Sequence, residues 1–364
     1  FSKDDRSLGP VLSDARVLSD LQIRRAPVSH RATGHRGQRD ISSAVWCGFG
    51  SGHLVLATAA PDGLRLWNHL GGELEEMPGV DSPGLSWLEP YLFVATDQGI
   101  SRCELKVEAD RLVFGEMVPW CTLSGVRQLA LFPGTTKGEG FLAVASGDTV
   151  YQVDGLKTDS GSISKSLAAP AETSTVAVSS AGDWVAAGSE AKGVRVWNCK
   201  TGAHQDLQVG RAATVAFYPA PPGILPAGAA VLMTGDRKEY RSWIGTDKWV
   251  PYPVSAGDTD QVAKHASEMD MSSSTGRRPR MVFSPRGTAA VISFNRTRLQ
   301  ILDPVTLEEM AQPGFDEQWP LAMSQRPLGR MLATGASRGR IFIWDFKEVR
   351  KQLATYSLDW EPLD

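Results

Sequence analysis

The feature that most constrains this chain is a short unit that returns about every 45 residues, a period typical of repeat architectures. Its clearest copies are LVLATAAPDGLRLWN (54–68), WVAAGSEAKGVRVWN (184–198) and MLATGASRGRIFIWD (331–345). Each reads as a strand of small and apolar residues, a tight turn, and a strand closed by Trp and then Asn or Asp. Trp67 and Trp197 lie 130 residues apart, and Trp197 and Trp344 lie 147 apart, or about three periods in each case. Weaker copies fill the gaps: YLFVATDQGISRCEL (91–105), FLAVASGDTVYQVDG (141–155), VLMTGDRKEYRSWIG (231–245) and AAVISFNRTRLQILD (289–303). A degenerate copy, SLGPVLSDARVLSDL (7–21), precedes them all and brings the count to eight.

Each unit follows one physical plan. Leading segments such as TVAVSS (175–180) and RMVFSP (280–285) are apolar and β-branched, which suits a strand covered on both faces. Quartets such as SAGD and SPRG then supply turn residues. The second strand is rich in Ala, Gly, Ser and Thr, allowing close approach where sheets converge. The third alternates, with Val194 and Val196 on one face and Arg195 and Trp197 on the other. TGAHQDL (201–207) turns into a short outer strand. No single unit can bury both of its faces, so neighbouring units must cover them. Four antiparallel strands per unit, repeated radially, form a β-propeller. A pair of β-sandwiches shows similar turn signals but has no reason to repeat a Trp ending at this period.

Composition agrees with that plan. Glycine (36) and proline (22) together make up about 16 % of the 364 residues, against roughly 12 % in average chains. The 42 % hydrophobic content excludes whole-chain disorder, and no run of about 18–20 apolar residues marks a membrane-spanning helix. A net charge of −3 argues against a dedicated nucleic-acid binder. The expected fold is therefore all-β, with seven blades as the preferred count and eight as the alternative. Residues 1–25 are expected to be the remnant of a preceding blade, and 26–364 one propeller domain. The outer strand near Pro27–Thr33 is expected to complete the last blade. Val349, Leu353 and Tyr356 recur at helical spacing, which predicts a short C-terminal helix within 346–360. Segment 255–280 reads as a polar loop inserted between blades.

The Trp-closed third strands resemble the WD-repeat family, with a complete Trp-Asp pair at Trp344-Asp345 and near matches at Trp67-Asn68 and Trp197-Asn198. The family's Asp-His-Ser/Thr-Trp hydrogen-bond network is mostly missing, so stability is expected to rest on apolar stacking between blades. A narrower resemblance links SLGPVLSDARV (7–17), LATAAPDGLRLWN (56–68), DWVAAGSEAKGVRVWNCKTG (183–202) and the tail FKEVRKQLATYSLDW (346–360) to one group of proteins. These are the C-terminal propellers of planctomycete-type bacterial WD-repeat proteins, often fused to serine/threonine kinases. The resemblance implies a module of a larger protein, with any kinase domain or membrane anchor upstream of Phe1. A cytoplasmic location is favoured, or a periplasmic one if a membrane span precedes the segment.

Catalytic signals are weak. Gly335-Ala336-Ser337-Arg338-Gly339 matches a nucleophile elbow in spelling, but a strand follows where that motif needs a helix. Gly48-Phe49-Gly50-Ser51-Gly52 lacks the Lys-Ser/Thr of a phosphate loop and reads as a hairpin turn. The six histidines show no metal-ligand spacing, and Asp258 and Asp260 lack the partners of a calcium loop. Cys47, Cys103, Cys121 and Cys199 are spread singly, which favours buried thiols and leaves a Cys103–Cys121 bridge open. No cofactor, metal site or catalytic residue is expected, and nucleic acid is not an expected partner.

Binding remains. In a propeller the turns between second and third strands crowd onto one face. Early units carry Asp62, Asp97 and Asp148 there; unit five is mixed, with Glu190 and Lys192; late units carry Arg237, Lys238, Arg296 and Arg338, with Asp236 and Glu239 partly offsetting. That pattern predicts a face with acidic and basic halves, able to orient a charged protein partner. The alternative is that these residues are simply solvated turn positions. The expected function is a non-catalytic interaction or scaffold module. Ligand sensing for a receptor-like kinase, or a site in the central channel, are the alternatives.

Overall fold

The computed structural model describes residues 40–345, except 51, 69–70, 109–110, 135–139, 208, 212, 220–228, 236–239, 253–279, 285–286, 288, 294–298, 305–308, 312–319, 326–330 and 337–338. The expected blade remnant 1–25, the strand near Pro27–Thr33, the helical tail 346–360 and the insert 255–280 up to its last residue lie outside the described residues.

The described chain is all-β and is arranged as a β-propeller. Six antiparallel sheets have four strands each, ordered as in the sequence: blade 1 (Ser43–Pro78), blade 2 (Leu85–Thr122), blade 3 (Val126–Ala168), blade 4 (Thr173–Leu207), blade 5 (Thr214–Tyr252) and blade 6 (Arg280–Ala311). A closing sheet, Pro320–Asp345, has three. The first strand of each sheet packs beside the next around a ring, and that of the closing sheet returns to blade 1. Among the described residues, the expected seven four-stranded blades, and the alternative of eight, are thus corrected to six four-stranded blades and a three-stranded closing sheet. The repeat marks third strands. It carries no information on whether a short outer strand follows, because strands such as Ser162–Ala168 are almost wholly exposed and leave little apolar pattern.

Alternation along the second strands explains the ring. In Tyr91–Thr96, Leu92 and Val94 join the core shared with blade 1, while Phe93 and Ala95 join the one shared with blade 3. Leu142 and Val144 face blade 2, and Phe141, Ala143 and Ala145 face blade 4. Val185 and Ala187 face blade 3, and Trp184 and Ala186 face blade 5. Both faces of these strands are buried, so an apolar run replaces the polar–apolar alternation of a half-exposed strand. Each fully buried Leu, Val or Phe contributes roughly 1.5–3 kcal/mol. Trp46, Leu56 and Trp67 of blade 1 pack with Ala333 and Ile343 of the closing sheet, so the same contact shuts the ring.

Trp67, Trp197 and Trp243 each face the preceding sheet. Trp67 Nε1 donates to Thr58 Oγ1 (2.8 Å) and Trp243 Nε1 to Thr234 Oγ1 (2.9 Å), both buried. Part of the polar network that the sequence reads as mostly missing is therefore present in blades 1 and 5. Blade 4 has Gly188 nine residues before Trp197, where blades 1 and 5 have threonine before theirs. Side chains also tie neighbouring first strands together. Ser43 Oγ accepts from Leu85 N (3.0 Å), Gln128 Oε1 accepts from Val176 N (2.9 Å), and Thr175 Oγ1 donates to the Ala213 carbonyl (3.1 Å).

The turn entering the third strand depends on glycine. Gly99 has φ +140°, and a Cβ there would run into the backbone of Cys121 and Leu123 in the adjacent fourth strand and beyond it. Gly79, at φ +78°, has open space around the same position. Urea unfolding should separate the two. Gly79→Ala is expected to cost about 1–2 kcal/mol for the left-handed backbone alone, and Gly99→Ala clearly more, because the fourth strand must also move.

Candidate interaction face

The turns between second and third strands share one face with the connections that lead from each fourth strand to the next blade. Backbone hydrogen bonds link the two sets: Gly79 N to the Asp62 carbonyl (3.3 Å), Leu123 N to that of Gln98 (3.4 Å), Ala169 N to that of Asp148 (2.7 Å), and Glu190 N to that of Glu172 (3.1 Å). The face is therefore built from paired loops held on a rigid ring.

Its predicted acidic residues divide. Asp97 and Asp148 are exposed turn residues. Asp62 is half-buried and lies 3.7 Å from the guanidinium of Arg65, so it belongs partly to the fold. Arg65 is only 2 % exposed and donates to Glu73 Oε2 (2.7 Å) and Glu76 Oε1 (2.8 Å) on the fourth strand of blade 1. Arg237, Lys238, Arg296 and Arg338 lie outside the described residues. The connections add charges that a reading of the turns alone passes over. Asp81 and Glu172 are exposed there, as is Arg211 between blades 4 and 5, while Lys192 is exposed in the blade 4 turn. None of Asp81, Asp97, Asp148 and Glu172 forms an ion pair with a described residue.

Several charges elsewhere are committed to internal contacts. Glu89 accepts from Gly50 N through both oxygens (3.0 and 3.1 Å). Arg102, 7 % exposed, donates to the Thr158 carbonyl (2.6 Å), approaches Asp159 (3.4 Å) and lies 4.2 Å from the ring centre of Tyr91. Arg195 holds Asp206 through Nε (2.5 Å) and through a second nitrogen (2.8 Å). That hydrogen bonding is the main cause holding the Asp206 carboxyl below its usual range, and it raises Arg195 in turn.

The described residues contain no group of three or more His, Cys, Asp or Glu side chains placed to hold a metal ion. Gly335–Gly339 does join two strands, Met331–Ala336 and Ile341–Asp345, as the nucleophile-elbow spelling cannot. All four cysteines are free and buried, which resolves the open question of a Cys103–Cys121 bridge. Burial pushes the Cys103 and Cys199 thiols up to about 11 and also raises those of Cys47 and Cys121, which keeps them protonated and unreactive. No family model matches the chain, and no curated protein matches it.

Two outcomes follow from this chemistry. A thiol-reactive chromophore should modify the four cysteines slowly in the native protein and promptly in denaturant. A total of two reactive thiols after unfolding without reductant would indicate a bridge. For Asp206, a depressed folded-state pKa means that its contribution is full above the unfolded carboxylate range and is lost as pH falls through the folded value. Asp206→Asn should therefore lower Tm at pH 7, with the difference from the wild type closing as pH falls below the ordinary carboxylate range.

Proposed function

We propose that this propeller is a non-catalytic interaction module that docks a charged protein partner on the face carrying the second-to-third strand turns. The observation that carries the reading is the set of exposed carboxylates there, Asp81, Asp97, Asp148 and Glu172, which lack ion-pair partners among the described residues. The rigid ring beneath them would hold such charges in fixed register, and complementary charge steers encounter and orientation more than it adds raw affinity. Basic residues in the later turns, Arg237, Lys238, Arg296 and Arg338, would supply the opposite half.

We further read the chain as WD-repeat-like. Support comes from the Trp-to-Thr hydrogen bonds of blades 1 and 5, made at the same nine-residue spacing. The planctomycete-type grouping, with a kinase domain or anchor upstream, rests on the resemblance of sequence stretches and belongs to the same proposal. First strands such as Val126–Phe132 and Thr214–Phe217 carry no His, Asp, Glu, Cys or Tyr, which favours a scaffold over an enzyme with a site near the axis.

Affinity capture of the native protein, followed by titration of the recovered partner, tests the docking face. Asp97→Lys with Asp148→Lys should weaken association by about tenfold or more and reduce its salt dependence. Charge reversal at Arg237, Arg296 and Arg338 should act similarly, whereas Glu116→Lys on the outer strand of blade 2 should not. Unchanged affinity in both sets of face variants would refute the reading.

A further inference from the structure

Blade 6 contains a polar pair that no described residue balances. Its first strand, Arg280–Phe283, pairs with Ala290–Ser293 without a register break: Arg280 opposite Ser293, Met281 opposite Ile292, Val282 opposite Val291, Phe283 opposite Ala290. Met281, Phe283, Ala290 and Ile292 pack into the core shared with blade 5. Alternation therefore turns Arg280, Val282, Val291 and Ser293 the other way, towards the closing sheet, whose first strand packs beside Arg280–Phe283. Directly opposed residues have Cβ atoms about 5 Å apart, so the two polar side chains leave their strands side by side at one spot. Arg280 opens its strand and Ser293 ends the neighbouring one, which places that spot at the turn face.

Neither group has a partner among the described residues. Ser293 is 0 % exposed, and its Oγ has no hydrogen-bond partner among the described residues. Arg280 is half-buried and forms no ion pair with a described residue. Its surroundings withdraw it from water and hold its pKa below the ordinary value, with no counter-charge among the described residues to offset this. The other enclosed arginines differ. Arg65 has Glu73 and Glu76, Arg102 has a carbonyl, Asp159 and a tyrosine ring, and Arg195 has Asp206. A desolvated guanidinium without an anion is costly, as is a buried hydroxyl without a partner.

We propose that Arg280 and Ser293 form a binding point for an oxyanion, a carboxylate or phosphate group, between blade 6 and the closing sheet. The guanidinium offers a planar fork of donors to two oxygens, and the serine hydroxyl adds a third hydrogen bond from the side. The site stands apart from the protein-docking reading, because a small free anion fills it as well as an acidic group carried by a partner.

Thermal unfolding of the full chain in acetate, inorganic phosphate or chloride at matched ionic strength tests the site. A saturable rise in Tm with acetate or with phosphate, absent with chloride, is expected, and the anion that produces it identifies the preferred chemistry. Arg280→Met should abolish the rise. Ser293→Ala and Arg280→Lys, which preserve the packing or the charge, should each weaken the apparent affinity by about tenfold. General stabilisation by phosphate is non-saturable and common to all variants, so it is distinguishable. If neither anion gives a saturable shift, or if Ser293→Ala and Arg280→Lys respond as the wild type does, the site does not exist.

Discussion

Everything in this molecule depends on apolar contact between neighbouring sheets. A single four-stranded sheet with apolar residues on both faces has nothing of its own to cover them, and here the sheets of blades 1 to 5 are each covered from both sides. Second strands show this most directly, with Leu92 and Val94 turned to one neighbour and Phe93 and Ala95 to the other. Because coverage passes from sheet to sheet, an open array would leave two apolar faces in water. Packing of Trp46, Leu56 and Trp67 against Ala333 and Ile343 removes that cost by bringing the last sheet to the first. Ile41 reinforces the seam, since a Cβ on Gly335 would meet its side chain.

A ring of this kind separates structure from recognition. Strands carry the burial, and the loops between them are released to vary in charge. Hydrogen bonds between the turn of one hairpin and the connection beside it fix the loops without using their side chains. Asp97, Asp148, Asp81 and Glu172 thus project from a surface whose geometry is set by backbone contacts. Arg65 and its acidic partners show the opposite use of charge, in which carboxylates and a guanidinium neutralise one another inside a blade.

The fold was largely legible because its signal is periodic. Small residues in the second strand, glycine at the turn and Trp near the end of the third strand recur for physical reasons, and those reasons recur with every blade. An outer strand was expected in each unit and placed at TGAHQDL, but most could not be located, because an exposed strand such as Ser162–Ala168 needs no particular apolar pattern. The Thr58 and Thr234 acceptors escaped for a different reason: a threonine in a strand has many uses, and only the register places it against a tryptophan. At the candidate face, turn position revealed Asp97 and Asp148 but could not show that Asp62 leans on a buried arginine. Asp81 and Glu172 sit in connections rather than turns, and spatial convergence of the two loop sets is a tertiary fact. The pairing of Arg280 with Ser293 likewise exists only once the two strands are in register.

The central claim is that the sheets cover one another in a closed ring. Native-state hydrogen exchange measured by mass spectrometry tests it most directly. In a closed ring, amides of Leu54–Ala60 in blade 1 and Met331–Ala336 in the closing sheet exchange as slowly as those of Trp184–Ser189 in blade 4, because all are second strands covered on both faces. Rapid exchange confined to the two terminal sheets, with protection rising towards blade 4, would mean that the array is open and would contradict the account.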